Sequence, residues 1–172
     1  TGVEWEIAET GGMGRRWSLG GDFVTDSWQN GGGMQRTDSY GSPAVWHLMD
    51  LVPDAALLTD FVRDAEQTPG LMVWRGSESC PSFVVNTKDA PVHFITVTMP
   101  PKSVGLHPGP NGGVAVAWQS PAAARITVRG KVSEIDPGGD GIAWRLERRP
   151  GIGAALAARK STVQQLAAAK KS

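Results

Sequence analysis

Apolar and polar residues alternate with a period of two in several short stretches, the pattern of strands with one buried face and one wet face. Val3, Trp5 and Ile7 alternate with Glu4 and Glu6; Ile126, Val128 and Val132 alternate with Thr127, Arg129, Lys131 and Ser133; Ile142, Trp144 and Leu146 alternate with Ala143, Arg145 and Glu147. Gly130 interrupts the second of these stripes and predicts a bulge there. The runs 71–74, 82–86 and 92–98 are rich in Val, Ile, Phe and Thr, and Pro81, Asp89-Ala90-Pro91 and Pro100-Pro101 separate or close them, so three further strands are predicted. Val114, Val116 and Trp118 share one face of a run whose other face is Ala115 and Ala117, which predicts a strand covered on both sides. Short strands are also predicted near 16–19 and 22–26, between glycine clusters that permit sharp reversals.

One segment breaks the β rhythm. Over 53–67, Ala55, Leu58, Phe61, Val62 and Ala65 fall at helical spacing, Pro53 and Asp54 suit a first turn, and Pro69-Gly70 closes the segment, so a short helix is predicted. Beyond residue 150 the chain changes character. Its Ala-rich runs and the capping pair Ser161 and Gln164 predict a C-terminal helix or a linker. The expected organisation is a β-sandwich domain over 1–150 and a basic, Ala-rich tail over 151–172. The expected class is mostly β: an antiparallel β-sandwich or jelly roll.

Composition agrees with that class. Hydrophobic residues make up 40% and charged residues 20% of the 172, enough apolar surface to bury a core. Gly and Pro supply 34 residues, which favours short strands and turns over a helical bundle. Seventeen basic and seventeen acidic residues cancel, which argues against a dedicated nucleic-acid binder. The cancellation is not local: residues 1–144 hold ten basic and sixteen acidic residues, net −6, and the remainder is net +6. The basic end suits an acidic partner or simply a solvated terminus. No apolar run approaches the length of a membrane-spanning helix. The lone Cys80 rules out an internal disulfide, haem attachment and multi-cysteine zinc. The chain opens on Thr1 with no signal peptide before it, which reads as a processed or excised piece.

No motif names a reaction. There is no nucleophile elbow, and the three histidines lie far apart in sequence. His47 and His93 sit in strand-like stretches and read as structural residues. His107 precedes Pro108-Gly109-Pro110 at a strand exit, where site residues gather. Asp136-Pro137-Gly138-Gly139-Asp140-Gly141 either forms a plain turn or offers Asp136 and Asp140 to a structural Ca²⁺, which takes oxygen ligands. No other cofactor is expected. The Gly12–Arg16 stretch lacks phosphate-loop spacing.

Seven tryptophans against one tyrosine carry the most chemistry. An indole is a stiff apolar plate with a polar edge, on which sugar rings stack while nearby amides and carboxylates bond their hydroxyls. Trp28-Gln29-Asn30-Gly31, followed by Gln35, Asp38 and Tyr40, has that loop chemistry, and Trp17 and Trp74 also sit near turns. Trp118 and Trp144 lie on apolar strand faces and are expected in the core. The candidate ligand-binding set is therefore Trp28, Asn30, Trp17, Tyr40, Trp74 and His107.

The stretch FVRDAEQTPGLMVWRG, PSFVVNTKDAPVHF and MPPKSVGLHPGPNGGVAVAWQSPAAARITVRGKVSEIDPGGDGIAWRLE, with His107-Pro108-Gly109-Pro110, Ser120-Pro121 and Asp140 to Trp144 as markers, resembles an accessory β-sandwich region of large planctomycete surface or exported proteins with cytochrome c-like segments. The likeness covers about residues 61–147. It implies a galactose-binding-like jelly roll, an extracytoplasmic setting, a multi-domain parent and carbohydrate binding, and it supplies no catalytic residues. The expectation is a non-catalytic carbohydrate-binding module, with a glycan and the parent's other domains as partners and neither nucleic acid nor a membrane span. The alternative is a structural or docking module that makes domain or protein–protein contacts without glycan.

Overall fold

A computed structural model describes residues 1–23, 35–36, 38–51, 56–76, 78–110, 112–139 and 141–150. In chain order it contains β1 (Gly2–Glu9), β2 (Arg16–Ser18), a five-residue helix α1 (Leu19–Phe23), β3 (Gln35–Arg36), β4 (Trp46–Asp50), β5 (Ala56–Leu57) and β6 (Asp60–Arg63). A 3₁₀ turn (Ala65–Gln67) leads to β7 (Leu71–Arg75), β8 (Ser82–Asn86), β9 (Val92–Phe94), β10 (Val97–Met99), β11 (Ser103–His107), β12 (Val114–Trp118) and β13 (Ile126–Ser133).

These strands build antiparallel sheets packed as a β-sandwich. The larger sheet has the order β13-β1-β11-β8-β7-β6, with β2 also on β1. The smaller sheet is β12-β4-β3, with β5 also on β4. Between them lies a core of Ile7, Trp17, Leu19, Phe23, Trp46, Leu48, Trp74 and Phe83. Phe23 packs edge-on to Trp46 and Trp74 and tilts against Phe83 at 4.8 Å. Aromatic pairs of this geometry add to the burial of their area.

The larger sheet is covered on its other face too. Along β7, Met72 and Trp74 enter the main core, while Leu71 and the half-buried Val73 enter a second cluster with Val84, Val92 and Met99. The β9–β10 hairpin roofs that second cluster. β8 accordingly has no wet face: all five of its residues are buried. The buried Asn86 amide fastens the roof, donating to the carbonyls of Ala90, Met99 and Pro100 and accepting from the Lys88 N–H.

Five expectations are corrected. The strand expected over 142–146 does not form, and residues 141–149 carry no regular secondary structure. The helix over 53–67 is replaced, in its described part, by β5, β6 and the 3₁₀ turn. Phe61 faces the main core and Val62 the second cluster, so the segment has strand periodicity between two cores, and pairing with β7 outweighs helix propensity. Asp64, Glu66 and Gln67 have φ of 51°, 53° and 56°, which no continuous helix allows. The strand expected near 22–26 is instead α1 in its described part, whose start Ser18 caps by accepting the Gly21 N–H. The run 92–98 is a hairpin rather than one strand, with Phe94 opposite Val97. Gly130 makes no bulge: it pairs in register with Trp5, and a Cβ there would lie 3.9 Å from the Trp5 ring and 3.2 Å from the Glu4 carbonyl oxygen. The proposed C-terminal helix lies outside the described residues.

Candidate functional site

The aromatic residues expected to stack a sugar divide sharply. Trp17 is 1% exposed and Trp74 is fully buried, so neither can present a face to a ligand, and their place among the binding residues is corrected. Trp17 is hemmed in by Tyr40 at 5.7 Å, Trp118 at 5.0 Å and the Arg15 guanidinium at 5.4 Å. Its indole N–H donates to the buried Asp38 carboxylate at 2.7 Å. Trp46 is held in the same way by Asp22, also at 2.7 Å. Each polar edge is thus satisfied inside the protein, which removes the usual reason for an indole to sit at a surface. Trp28, Asn30 and Asp140 lie outside the described residues.

Tyr40 and His107 are exposed, but at opposite ends of the larger sheet. The Tyr40 hydroxyl accepts from the Arg16 N–H, at the level of Ala8 on β1. His107 lies two residues past Gly105, which pairs with Gly2. Eight residues of strand separate the two levels, about 26 Å. The His107 ring contacts its own neighbour, Nδ1 to the Pro108 carbonyl at 2.7 Å. Asp136 acts as a turn residue: one oxygen accepts from the Gly138 N–H and the other from the Thr96 hydroxyl. Among the described residues no group of three or more His, Cys, Asp or Glu is placed to hold a metal ion.

The feature beside Tyr40 that sequence reading passed over is a shallow cleft of about 350 Å³ on the outer face of β2, β1 and β13, lined by Glu6, Ala8, Thr10, Arg16, Thr127 and Arg129. Period-two alternation places Glu6 and Ala8 on one face, and the register sets Ala8 opposite Arg16 and Thr127, and Glu6 opposite Arg129. At its end Glu9 pairs with Arg15 at 3.2 Å. That hydrogen bond holds the Glu9 carboxyl below its ordinary pKa. The signal was present in the wet faces of β1 and β13, but only the cross-strand register shows that both signs of charge converge.

A second feature has the opposite chemistry. Residues 141–150 follow the sandwich and are exposed throughout. Ile142 is 41%, Trp144 69% and Leu146 63% exposed. Trp144, expected in the core, is therefore at the surface. On the alternate positions Glu147 makes ion pairs with both Arg145 and Arg149. Pairs at i and i+2 lie on one side of an extended chain, so the other side is an apolar stripe. The alternation there is that of a strand, but residues 141–149 adopt no regular secondary structure and pair with no strand among the described residues.

Buried beneath the smaller sheet's outer face is His47, 3% exposed. Burial pushes its imidazole below the ordinary pKa, and the Ala44 backbone and Gln119 side chain offset this only in part. Among the described residues no helix is long and apolar enough to cross a membrane. Comparison with known proteins finds no matching family model, curated relative or solved structure.

Proposed function

We propose that this chain is a non-catalytic docking module: a β-sandwich that makes protein–protein contacts through the extended segment 142–147. The observation that carries the reading is the exposure of Ile142, Trp144 and Leu146 on one side of a segment whose other side is an ion-paired Arg–Glu–Arg row. Exposed apolar side chains in one row are costly in water and typical of an interaction surface. Extended peptides commonly bind by adding a strand to a sheet edge. The test is association of the full chain with its binding partners, measured with Trp144→Lys beside the wild type. Loss of association with folding intact supports the reading; unchanged association defeats it.

A second reading, glycan binding in an extracytoplasmic setting, is favoured by the polar cleft on β1 and β13 with Tyr40 at its edge. Glu6, Arg16, Thr127 and Arg129 offer donors and acceptors suited to hydroxyl groups. Affinity electrophoresis on polysaccharides tests it. Retardation that disappears in Arg129→Ala favours the glycan, and free migration of the wild type removes it.

A further inference from the structure

The geometry points to a second copy of this chain as the partner of segment 142–147, with the strand laid along the outer edge of β12. This inference rests on the docking reading and names its partner. The two sheets are unequal, and the side of the sandwich bounded by β12 and β13 is open: among the described residues β12 pairs only with β4, and β13 only with β1. The inward residues there, Val114, Val116, Trp118, Ile126 and Val128, pack against the core yet stay only partly buried.

The hydrogen-bond phase of β12 shows what its edge offers. Leu51 N–H donates to the Gly113 carbonyl at 2.9 Å and Gln119 N–H to the Val45 carbonyl at 2.7 Å. In an antiparallel pair, bonding alternates residue by residue. The backbone groups of Ala115 and Ala117 therefore face β4, and those of Val114, Val116 and Trp118 face outward. An added strand would pair those groups, and its Ile142, Trp144 and Leu146 would continue the apolar stripe over the open side. Its Ala143, Arg145 and Glu147 would remain in water.

The chain's own β12 is out of reach of this segment. Ile135 packs into the second cluster, beyond the far face of the larger sheet, and Asp136 bonds Thr96 of the hairpin roof. The turn closes with Gly139 N–H on the Asp136 carbonyl. Three residues from 139 to 142 span about 10 Å. The smaller sheet lies on the other side, about two layer spacings or 20 Å away. A second copy removes that constraint, and reciprocal exchange gives a closed two-fold pair. Charge favours it as well, since residues 1–144 are net −6 and the chain beyond them net +6.

The test is sedimentation equilibrium of the full chain over a wide concentration range, with amide hydrogen exchange at Val114, Val116 and Trp118. The expected result is a dimer in which those three amides exchange at least about tenfold more slowly as concentration rises, with both effects lost in Trp144→Lys and kept in Ala143→Ser. A dimer that survives Trp144→Lys, or one whose three amides exchange freely, overturns the inference. A monomer at all concentrations also overturns it. Acrylamide quenching of the Trp144 emission, taken as the difference from Trp144→Phe, then separates the two failures. A fully quenched indole leaves docking to a different partner standing, and a shielded one means the segment has closed on its own body and ends both readings.

Discussion

The Trp17 indole N–H donates to the Asp38 carboxylate at 2.7 Å, with both groups sealed from solvent. The other Asp38 oxygen accepts the N–H groups of Tyr40 and Ser42 at 3.0 and 2.7 Å. One side chain thereby fixes the loop that carries Tyr40 and satisfies the core indole beneath it. Asp38→Ala leaves three donors without their acceptor, and a buried unsatisfied group costs about 1–3 kcal/mol. The expected result is a loss of about 2–4 kcal/mol in urea unfolding. Asp38→Asn retains an acceptor for the loop and loses less.

Asn86 offers a sharper test of the second cluster. Its amide donates to three carbonyls that end the 87–91 turn and the β9–β10 hairpin. Asn86→Asp keeps the shape and replaces donors by oxygens facing oxygens. We expect destabilisation of about 3 kcal/mol or more, read as a lower thermal midpoint. Asn86→Ala is the milder change, because it removes the donor without adding repulsion.

His47 makes stability depend on pH. Its folded-state pKa is depressed by burial, so the folded protein binds that proton less readily than the unfolded chain. The associated stability is full above the ordinary imidazole value of about 6.5. It falls as pH drops from there toward the lowered folded value. The urea midpoint is expected to decline as pH falls below about 6.5, and His47→Leu is expected to flatten that decline. An equal decline in the variant would assign it to other groups.

Glu9 acts in a lower window. Its carboxyl is depressed chiefly by the Arg15 hydrogen bond, so its contribution is present above the ordinary carboxylate range and disappears as pH falls through the folded value. Glu9→Gln is expected to weaken the β1–β2 hairpin at neutral pH and to behave like the wild type once Glu9 is protonated. Amide exchange at Arg15, whose N–H donates to Glu9, reports this directly.

The strands were readable where one physical signal dominated. β1 and β13 each have one wet face, so alternation located them, and β7 and β8 carry short unbroken apolar runs, Leu71 to Trp74 and Phe83 to Val85, because both their faces are covered. The 56–63 segment misled because Leu58, Phe61 and Val62 fit a helical period as well as a strand between two cores. Placing the tryptophans needed tertiary information: Trp17 and Trp46 are buried because Asp38 and Asp22, 21 and 24 residues away, receive their N–H groups. For Trp144 the alternation suggested a strand, but residues 141–149 form none among the described residues, and the pattern carried no information about which body covers the apolar positions.

β7 and β8 form a party wall between two oily compartments. A cavity opened on either side removes support from the same backbone ladder, so the hairpin roof and the main sandwich melt together. Heating then yields one cooperative transition rather than a lid that lifts off early, and damage to the lesser compartment is felt across the whole molecule.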